Sequence, residues 1–262
     1  MAPAQASAGD TVNAPLLETR ALSRSFGALV AARQVDFRLE AGARHALIGP
    51  NGAGKTTLIN LLAGVIPPTS GQVLLNGRDI TAVGQAERVK LGIARTFQVN
   101  RLFRGLSVLE NVYIAVAERM GAAPSMFRPA GRRQDVVDEA MRLLDTLRLL
   151  DDAGRRVREL PYGRQRLVEL AIALGLAPEL LLLDEPAAGV PSAETHIILD
   201  AIDRLPAAIA VLIVDHDMDL VFRFAERITV MVGGAVFASG TPREIGADSR
   251  VRAVYLGQTA RG

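Results

Sequence analysis

The chain has 262 residues, 49% of them hydrophobic, which is enough for one large domain or for a core with a smaller lobe. It has no cysteine and three histidines, so disulfides, thiolate metal sites and cysteine nucleophiles are excluded, and a histidine-rich metal site is not expected. The formal net charge of +2 is too small to indicate a nucleic-acid partner, and we predict none.

The first segment, residues 1–14, has no Lys or Arg and no apolar core. It lacks the features of a signal peptide or an amphipathic transit peptide, and we expect a disordered tail. The most apolar window, 167–183, is interrupted by Glu169, Pro178 and Glu179, which excludes a membrane span. We therefore expect a soluble, cytoplasmic protein.

Strands dominate the first part of the chain. Residues 16–40 alternate as short strands, and 44–49 form an apolar strand that leads into a glycine-rich turn and an apolar helix. Asn76 and Gly77 place a tight-turn dipeptide inside "QVLLNGRDI", which predicts a hairpin.

Helices are predicted from about 98 to 166. Ser107 and Glu110 form a capping box before an apolar run. Residues 121–133 are a Gly/Pro/Arg loop whose role is open. An amphipathic helix follows, because four apolar residues recur at helical spacing. These residues are Val137, Ala140, Met141 and Leu144.

From residue 179 the pattern returns to strands between helices. The segments 180–184, 209–215 and 228–232 are apolar at successive positions, as in parallel strands that helices cover on both faces. The sequence therefore predicts an α/β core with a helical lobe inserted near 98–166.

The run "GPNGAGKTT" (49–57) matches the phosphate-loop pattern G-x-x-x-x-G-K-[ST] at Gly49, Gly54, Lys55 and Thr56. Glycines let backbone N–H groups surround phosphate oxygens, and the following helix presents its positive end. Lys55 suits the β- and γ-phosphates, and Thr56 can offer a hydroxyl to Mg²⁺. A glycine-rich turn without a ligand is disfavoured, because the strand and helix stand where the pattern requires them.

Polar residues follow two of the buried strands. Asp184 and Glu185 end "LLLLDEP" and predict a Mg²⁺ ligand, through water, and a general base. His216 stands at the same place after the next strand and could contact the γ-phosphate. Taken alone, each has a simpler interpretation, as a helix-capping or surface residue. The same holds for Gln98 as a solvated glutamine and for Phe26 as a core aromatic.

Taken in order, "RSFG", the phosphate loop, "TFQ", "LPYGRQR", "LLLLDEP" and "VDHDM" resemble the ATP-binding cassette ATPases that power ABC transporters, over roughly 16–256. "RTFQVNRLFR", "YGRQR", "DEPAAG" and "VRAVYLG" are similar to subunits that import branched-chain or hydrophobic amino acids or amides. The implied fold is an α/β P-loop ATPase core (15–97 and 167–256) with an antiparallel β subdomain and a helical subdomain (98–166) that carries the signature motif.

The resemblance assigns roles to matching residues. Phe26 would stack on adenine. The catalytic residues would be Glu185, His216 and Gln98. Gln98 would also sense Mg²⁺, and Thr56 and Asp184 would be the other residues of the metal site. The residues implied to bind the nucleotide phosphates are Asn51, Gly52, Ala53, Gly54, Lys55, Thr56 and Thr57 on this chain, and Tyr162, Gly163 and Arg164 towards a nucleotide held by a second subunit.

In this family the signature helix binds ATP on the opposite subunit of a dimer. We expect its apolar face to pack on its own lobe and its start, near Gly163, to face outwards. An ordinary helix start is the alternative. The residues of the packing face are Leu167, Leu170, Ala171 and Leu174.

Two positions depart from the family pattern. Pro161 replaces the signature serine, which removes a hydrogen bond to phosphate worth roughly 1.5–3 kcal/mol, and Arg164 is a candidate compensating cation. Pro191 replaces an aspartate that helps to couple the two sites of a dimer. This predicts weaker coupling or a heterodimer with a sister ATPase.

The resemblance implies an ATP- and Mg²⁺-dependent motor on the cytoplasmic face of the membrane. Its partners would be a second ABC ATPase subunit, identical or related, and transmembrane permease subunits.

The candidates for permease docking are Val99, Leu102, Phe103 and Leu106. Packing within the lobe is the alternative, and it is favoured for Val99 and Leu106. A soluble ABC ATPase of an assembly or nucleic-acid complex is the rival function, and a subunit with little turnover is a third.

Overall fold

The structure is a computed structural model that describes residues 14–96, 102–121, 133–191 and 194–259. The predicted tail, apart from its last residue, lies outside this part of the chain, as do Gln98, Val99 and most of the loop 121–133. No helix in the described ranges is both long and apolar enough to cross a bilayer.

The strands of the described residues run in chain order as β1 Leu17–Phe26, β2 Leu29–Leu39, β3 Arg44–Ile48, β4 Ser70–Leu75, β5 Arg78–Asp79, β6 Ile93–Arg95, β7 Leu180–Asp184, β8 Ala210–Val214, β9 Arg227–Val232 and β10 Ala235–Gly240. The α-helices are α1 Lys55–Leu62, α2 Gln85–Lys90, α3 Val108–Arg119, α4 Gln134–Thr146, α5 Tyr162–Gly175, α6 Thr195–Asp203, α7 Met218–Phe224, α8 Pro242–Ala247 and α9 Ser249–Thr259. Two 3₁₀ turns, Leu150–Asp152 and Val157–Glu159, precede α5.

The strands form two sheets. The first is antiparallel, with the order β2-β1-β4-β5. The second has the order β10-β9-β3-β8-β7-β6, in which only the β9–β10 pair is antiparallel. This arrangement confirms the predicted α/β class with an antiparallel β part.

Both faces of the parallel sheet are buried, which explains why its strands are apolar at successive positions. Leu181 and Leu183 belong to the core that the sheet shares with the helices after β6. Leu180 and Leu182 point to the other face and pack in the core that contains α1 and the antiparallel sheet. The period of two along each strand therefore divides one apolar run between two cores.

Local turn and cap signals are confirmed. Asn76 and Gly77 have φ values of +50° and +76° and join β4 to β5, as a two-residue hairpin turn requires. Ser107 and Glu110 form both hydrogen bonds of the capping box of α3.

The amphipathic helix predicted after the loop 121–133 is α4, but its buried face is shifted. Val136, Ala140 and Leu144 are fully buried, whereas Val137 and Met141 are half-buried. The buried residues follow the i, i+4 spacing of one helix face, and Val137 and Met141, which have the same spacing, lie on the flank of that face.

Helices α3, α4 and α5 lie between β6 and β7 in the chain and share one core with the sheet. Helix α5 runs unbroken from Tyr162 to Gly175, so the predicted division at 166/167 falls inside it. The division of the chain into subdomains stays a prediction.

Arg88 ties the far end of α1 to its surroundings. The residue is about 1% exposed, and its guanidinium donates to five backbone carbonyl oxygens. Two of them, Leu61 O and Leu62 O, belong to the last turn of α1, where helix carbonyls lack partners. Burial lowers the pKa of Arg88 to about 10, so the side chain stays charged at neutral pH.

We predict that Arg88→Met lowers the free energy of unfolding by about 3 kcal/mol or more, because it leaves several buried carbonyls without a donor. Arg88→Lys should recover only part of the loss, since an ammonium has fewer donors in a different geometry. Chemical denaturation measures both. Arg78→Met, at an exposed arginine, is the control and should change stability by less than about 0.5 kcal/mol. Equal stability of the native chain and Arg88→Met would refute this role.

Candidate active site

The glycine loop lies between β3 and α1, at the carboxyl end of β3. A Cβ on Gly49 would lie 2.3 Å from Met231 O, and one on Gly54 would lie 2.3 Å from Ala31 O. Gly54 also has a φ of +95°. Only glycine fits these places, where the backbone passes directly against neighbouring strands.

The start of α1 is open. Gly54 occupies its N-cap position and provides no side-chain hydrogen bond to the first turn. The N–H groups of that turn are therefore available to an anion, and the helix dipole favours one.

Lys55 spans the loop in this state. Its ammonium donates to Gly49 O at 2.6 Å and to Pro50 O at 3.1 Å. Burial lowers the pKa of Lys55, while the nearby Glu185 and Asp184 act in the opposite direction. Lys55 is thus a partly desolvated cation, poised beside two carboxylates.

The other predicted phosphate-binding residues lie in the same loop but differ in exposure. Asn51, Gly52 and Thr56 are exposed at the surface of the loop, and Thr57 is half-buried. Ala53 is 2% exposed, its N–H donates to Pro50 O, and its carbonyl accepts the Gly234 N–H.

Asp184 is held by an arginine that the sequence analysis did not single out. Arg95 Nη2 lies 2.8 Å from Asp184 Oδ2, and the two side chains are 10% and 1% exposed. Asp184 Oδ1 is buried and has no hydrogen-bond partner among the described residues. A buried carboxylate oxygen of this kind suits a cation or a water bound to one. Arg95 directly precedes "TFQ", but no spacing rule connects it with Asp184.

Glu185 adopts a strained backbone at the end of β7. Its φ is +48°, in the left-handed region that few non-glycine residues occupy. Its N–H donates to Val214 O at 2.8 Å, and its carbonyl accepts the Ala188 N–H at 2.9 Å. These bonds hold the carboxylate, which is 37% exposed, at the edge of the sheet.

His216 faces Glu185 from the end of β8. Its Nδ1 lies 3.9 Å from Glu185 Oε1, and its side chain is 75% exposed. Asp215 shapes this turn, because its Oδ1 accepts the N–H groups of His216 and Asp217. Burial raises the pKa of Asp215. The structure thus brings the predicted base and histidine together with Lys55 and Asp184.

Phe26 ends β1 and is 45% exposed, so it is not a core residue. The Arg24 guanidinium lies 4.6 Å from its ring centroid, which shows that the ring can hold a planar group. Gln98 lies outside the described residues, and its predicted role is untested.

The signature segment differs from expectation at its start. The face of α5 formed by Leu167, Leu170, Ala171 and Leu174 is buried, as expected. Gly163 is also buried, because Val190 and Glu194 pack over it, so the outward-facing residue is Tyr162. The Arg164 guanidinium pairs with Asp152 and donates to Arg148 O on its own lobe. Its role as a compensating cation for Pro161 stays a prediction.

The carboxyl-terminal helix also reaches the glycine loop. Tyr255 packs against the main core, and burial raises its pKa to about 12, while a hydrogen bond from the Gly49 backbone acts in the opposite direction. Tyr255 and Gly49 are far apart in the chain, and no local sequence pattern links them.

The fold and the glycine loop between β3 and α1 define the class of P-loop ATPases, with two carboxylates, Asp184 and Glu185, at the edge of the parallel sheet. The ABC transporter family model matches residues 32–188, more than half of the chain. The chain belongs to the ABC transporter family.

Individual relatives agree with this assignment. The chain is 38% identical, over 93% of its length and 98% of the relative's, to the high-affinity branched-chain amino acid transport ATP-binding protein LivG of Salmonella typhimurium. It is 30% identical, with a TM-score of 0.82, to the ADP conformation of MJ1267, an ATP-binding cassette of an ABC transporter, covering 93% of this chain and 99% of that one. The dimeric cassette MJ0796 has the same fold (TM-score 0.72, 24% identity, 87% and 99% covered).

We predict that Gly54→Ala abolishes nucleotide binding, because the added methyl group would collide with the Ala31 carbonyl and displace the loop. Equilibrium binding of a fluorescent ATP analogue measures the effect. Gly84→Ala is the matched control, since its Cβ would meet nothing within 4 Å. Retained affinity in Gly54→Ala would show that the loop tolerates a side chain at this position.

Proposed function

We propose that the chain is the ATP-hydrolysing motor subunit of an importer for branched-chain or hydrophobic amino acids, or related small amides. The observation that carries the proposal is the convergence of Lys55, Asp184, Glu185 and His216 beside the open start of α1. The solute class is supported by the identity to LivG, whose name specifies branched-chain amino acid transport.

Nucleotide binding uses the glycine loop and α1. The N–H groups of the loop and of the first turn surround the phosphates. Lys55 exchanges the Gly49 and Pro50 carbonyls for the β- and γ-phosphates, which are stronger partners for an ammonium. The exposed ring of Phe26 stacks on the adenine.

Magnesium fits the polar groups beside the loop. The free Oδ1 of Asp184 would hold Mg²⁺ through water, and the Thr56 hydroxyl and Gln98 are the other proposed contacts. When bound, Mg²⁺ neutralises charge on the phosphates and orients them. Arg95 keeps the opposite oxygen of Asp184 engaged and so directs Oδ1 towards the site.

Glu185 acts as the general base in this proposal. Its carboxylate takes a proton from the water that attacks the γ-phosphorus, a contribution of about 10²–10⁴ in rate. His216, beside it, contacts the γ-phosphate and helps to align the water.

A second ABC ATPase subunit, identical or related, completes the site. In this arrangement Tyr162 and the first turn of α5 face the nucleotide of that subunit, in line with the dimeric cassette MJ0796, a protein of the same fold. ATP binding closes the dimer, and hydrolysis reopens it.

Phe103 is the proposed anchor for a permease helix on the cytoplasmic face of the membrane. Its side chain is 58% exposed, whereas its neighbour Leu102 is buried and belongs to the lobe core. Asn111 fixes the backbone of Phe103 through two hydrogen bonds, with its side-chain oxygen and nitrogen. A rigidly presented, exposed aromatic is typical of an interface anchor.

Replacing the base separates binding from hydrolysis. We predict that Glu185→Gln keeps ATP affinity within about twofold and lowers turnover by about 10²-fold or more. In the same variant ATP should drive dimerisation, measured by size-exclusion chromatography with light scattering. Glu87→Gln, at an exposed glutamate on α2, is the control and should hydrolyse ATP normally. Unchanged turnover in Glu185→Gln would remove Glu185 as the base.

Removing the proposed anchor should uncouple the motor from the membrane. We predict that Phe103→Ala retains ATP hydrolysis by the isolated subunit and loses co-purification with the permease and solute uptake, because the exposed aromatic that contacts the permease helix is gone. Phe222→Ala, at an aromatic 38% exposed on α7, is the control. Intact assembly and transport in Phe103→Ala would refute the anchor.

The solute class needs a separate test. We would purify the native complex, identify every chain in it, and screen solutes for stimulation of its ATPase activity.

A further inference from the structure

The start of α5 rests on the loop that follows Glu185. A Cβ on Gly189 would lie 3.3 Å from the Tyr162 ring, and one on Gly163 would lie 3.5 Å from Val190 Cγ1. The signature end of α5 and residues 189–190 are therefore close-packed. Because packed groups resist compression, a displacement of one side moves the other.

Arg166, one turn further along α5, adds directional bonds to this contact. Its guanidinium lies 5.1 Å from the Tyr162 ring centroid, and its Nη2 donates to Ala188 O at 3.4 Å. Its Nη1 pairs with Glu169 at 2.8 Å, and the two side chains are 8% and 10% exposed. A buried ion pair thus clamps the Tyr162 ring and the loop to one helix.

The loop in turn is bonded to Glu185. The Ala188 N–H donates to Glu185 O, and the Glu185 N–H donates to Val214 O. The path from Arg166 to the strained backbone of Glu185 therefore consists of two hydrogen bonds through a single residue, Ala188.

Little free space separates α5 from the end of β7. Arg166 and Glu169 line a cavity of about 20 Å³ together with Asp184 and Pro186. This volume has room for about one water molecule. The residues that line this cavity therefore leave little room for α5 to move without displacing the strand end.

We propose that Arg166 is a positioning residue that couples the signature end of α5 to the placement of Glu185 in the same chain. The inference rests on the proposed function, in which the partner's nucleotide contacts the start of α5, at Tyr162. Contact with that nucleotide then sets the Glu185 carboxylate through Arg166 and Ala188. This route lies within one chain. It would couple the two sites of the dimer without the aspartate that Pro191 replaces.

The test uses the full-length chain in its complex. Arg166→Met/Glu169→Leu removes both buried charges together, so that neither is left unpaired. The expected result is a fall in kcat of roughly tenfold to hundredfold, the scale of a displaced catalytic group. KM for ATP and the unfolding midpoint should stay near the native values, because a positioning role acts on turnover.

A second variant keeps the proposal testable if the double substitution fails to fold. Arg166→Lys retains the charge beside Glu169 but lacks the planar group over Tyr162 and the second donor for Ala188. It should show the same selective loss in kcat. Arg250→Met is the matched control, since Arg250 also stacks on an aromatic, Phe237 at 5.8 Å, and pairs with Asp248, away from α5.

Native kcat in the Arg166 variants would overturn the inference, and so would a loss of kcat that merely follows a loss of stability or of ATP affinity. The proposed function fails in a different experiment. If Glu185→Gln with Arg166 intact forms no dimer in ATP, the cross-subunit site is refuted without any change at Arg166.

Discussion

Burial of the parallel sheet on both faces is the constraint on which the site depends. Strands β7 and β8 are apolar up to their carboxyl ends, and in β3 the two polar residues, Arg44 and His45, stand at the amino end, because each face of the sheet packs in a hydrophobic core. Polar chemistry can therefore appear only where the strands end. The glycine loop, Asp184 with Glu185, and Asp215 with His216 each occupy such an end. Three segments far apart in the chain meet because their strands are neighbours in one sheet.

Charge balance within this edge follows from the same burial. A desolvated charge is costly unless it is paired. Asp184, which is buried, and Lys55, which is partly buried, both have partners at this edge. Arg95 neutralises one oxygen of Asp184 and leaves the other free, while Lys55 is held by loop carbonyls beside two carboxylates. In the proposed function, nucleotide binding exchanges the carbonyl partners of Lys55 for phosphates, which are stronger partners for an ammonium.

The departures from the family pattern are accommodated by packing around α5. Pro161 offers no hydroxyl, yet it serves as the N-cap of a helix whose first turn carries an exposed tyrosine. Arg164 braces the lobe through Asp152, and Arg166 braces the loop after Glu185. The signature segment therefore has two kinds of residue. Tyr162 is exposed at the surface, and Arg164 and Arg166 hold its surroundings in place.

Sequence alone determined the phosphate loop, the carboxylates at the end of β7, the hairpin at Asn76 and the capping box at Ser107. Each of these signals lies within a few residues of chain, and the steric or hydrogen-bonding requirement that creates it is local. The α/β class was equally readable, because two-sided burial leaves uninterrupted apolar runs. Only tertiary structure decided the partners of Arg95, which is 89 residues from Asp184, and those of Arg166 and Tyr255. It also decided that Gly163 is covered and Arg164 turned inwards. Such contacts depend on how helices and loops pack across the sheet, and no local spacing records that packing.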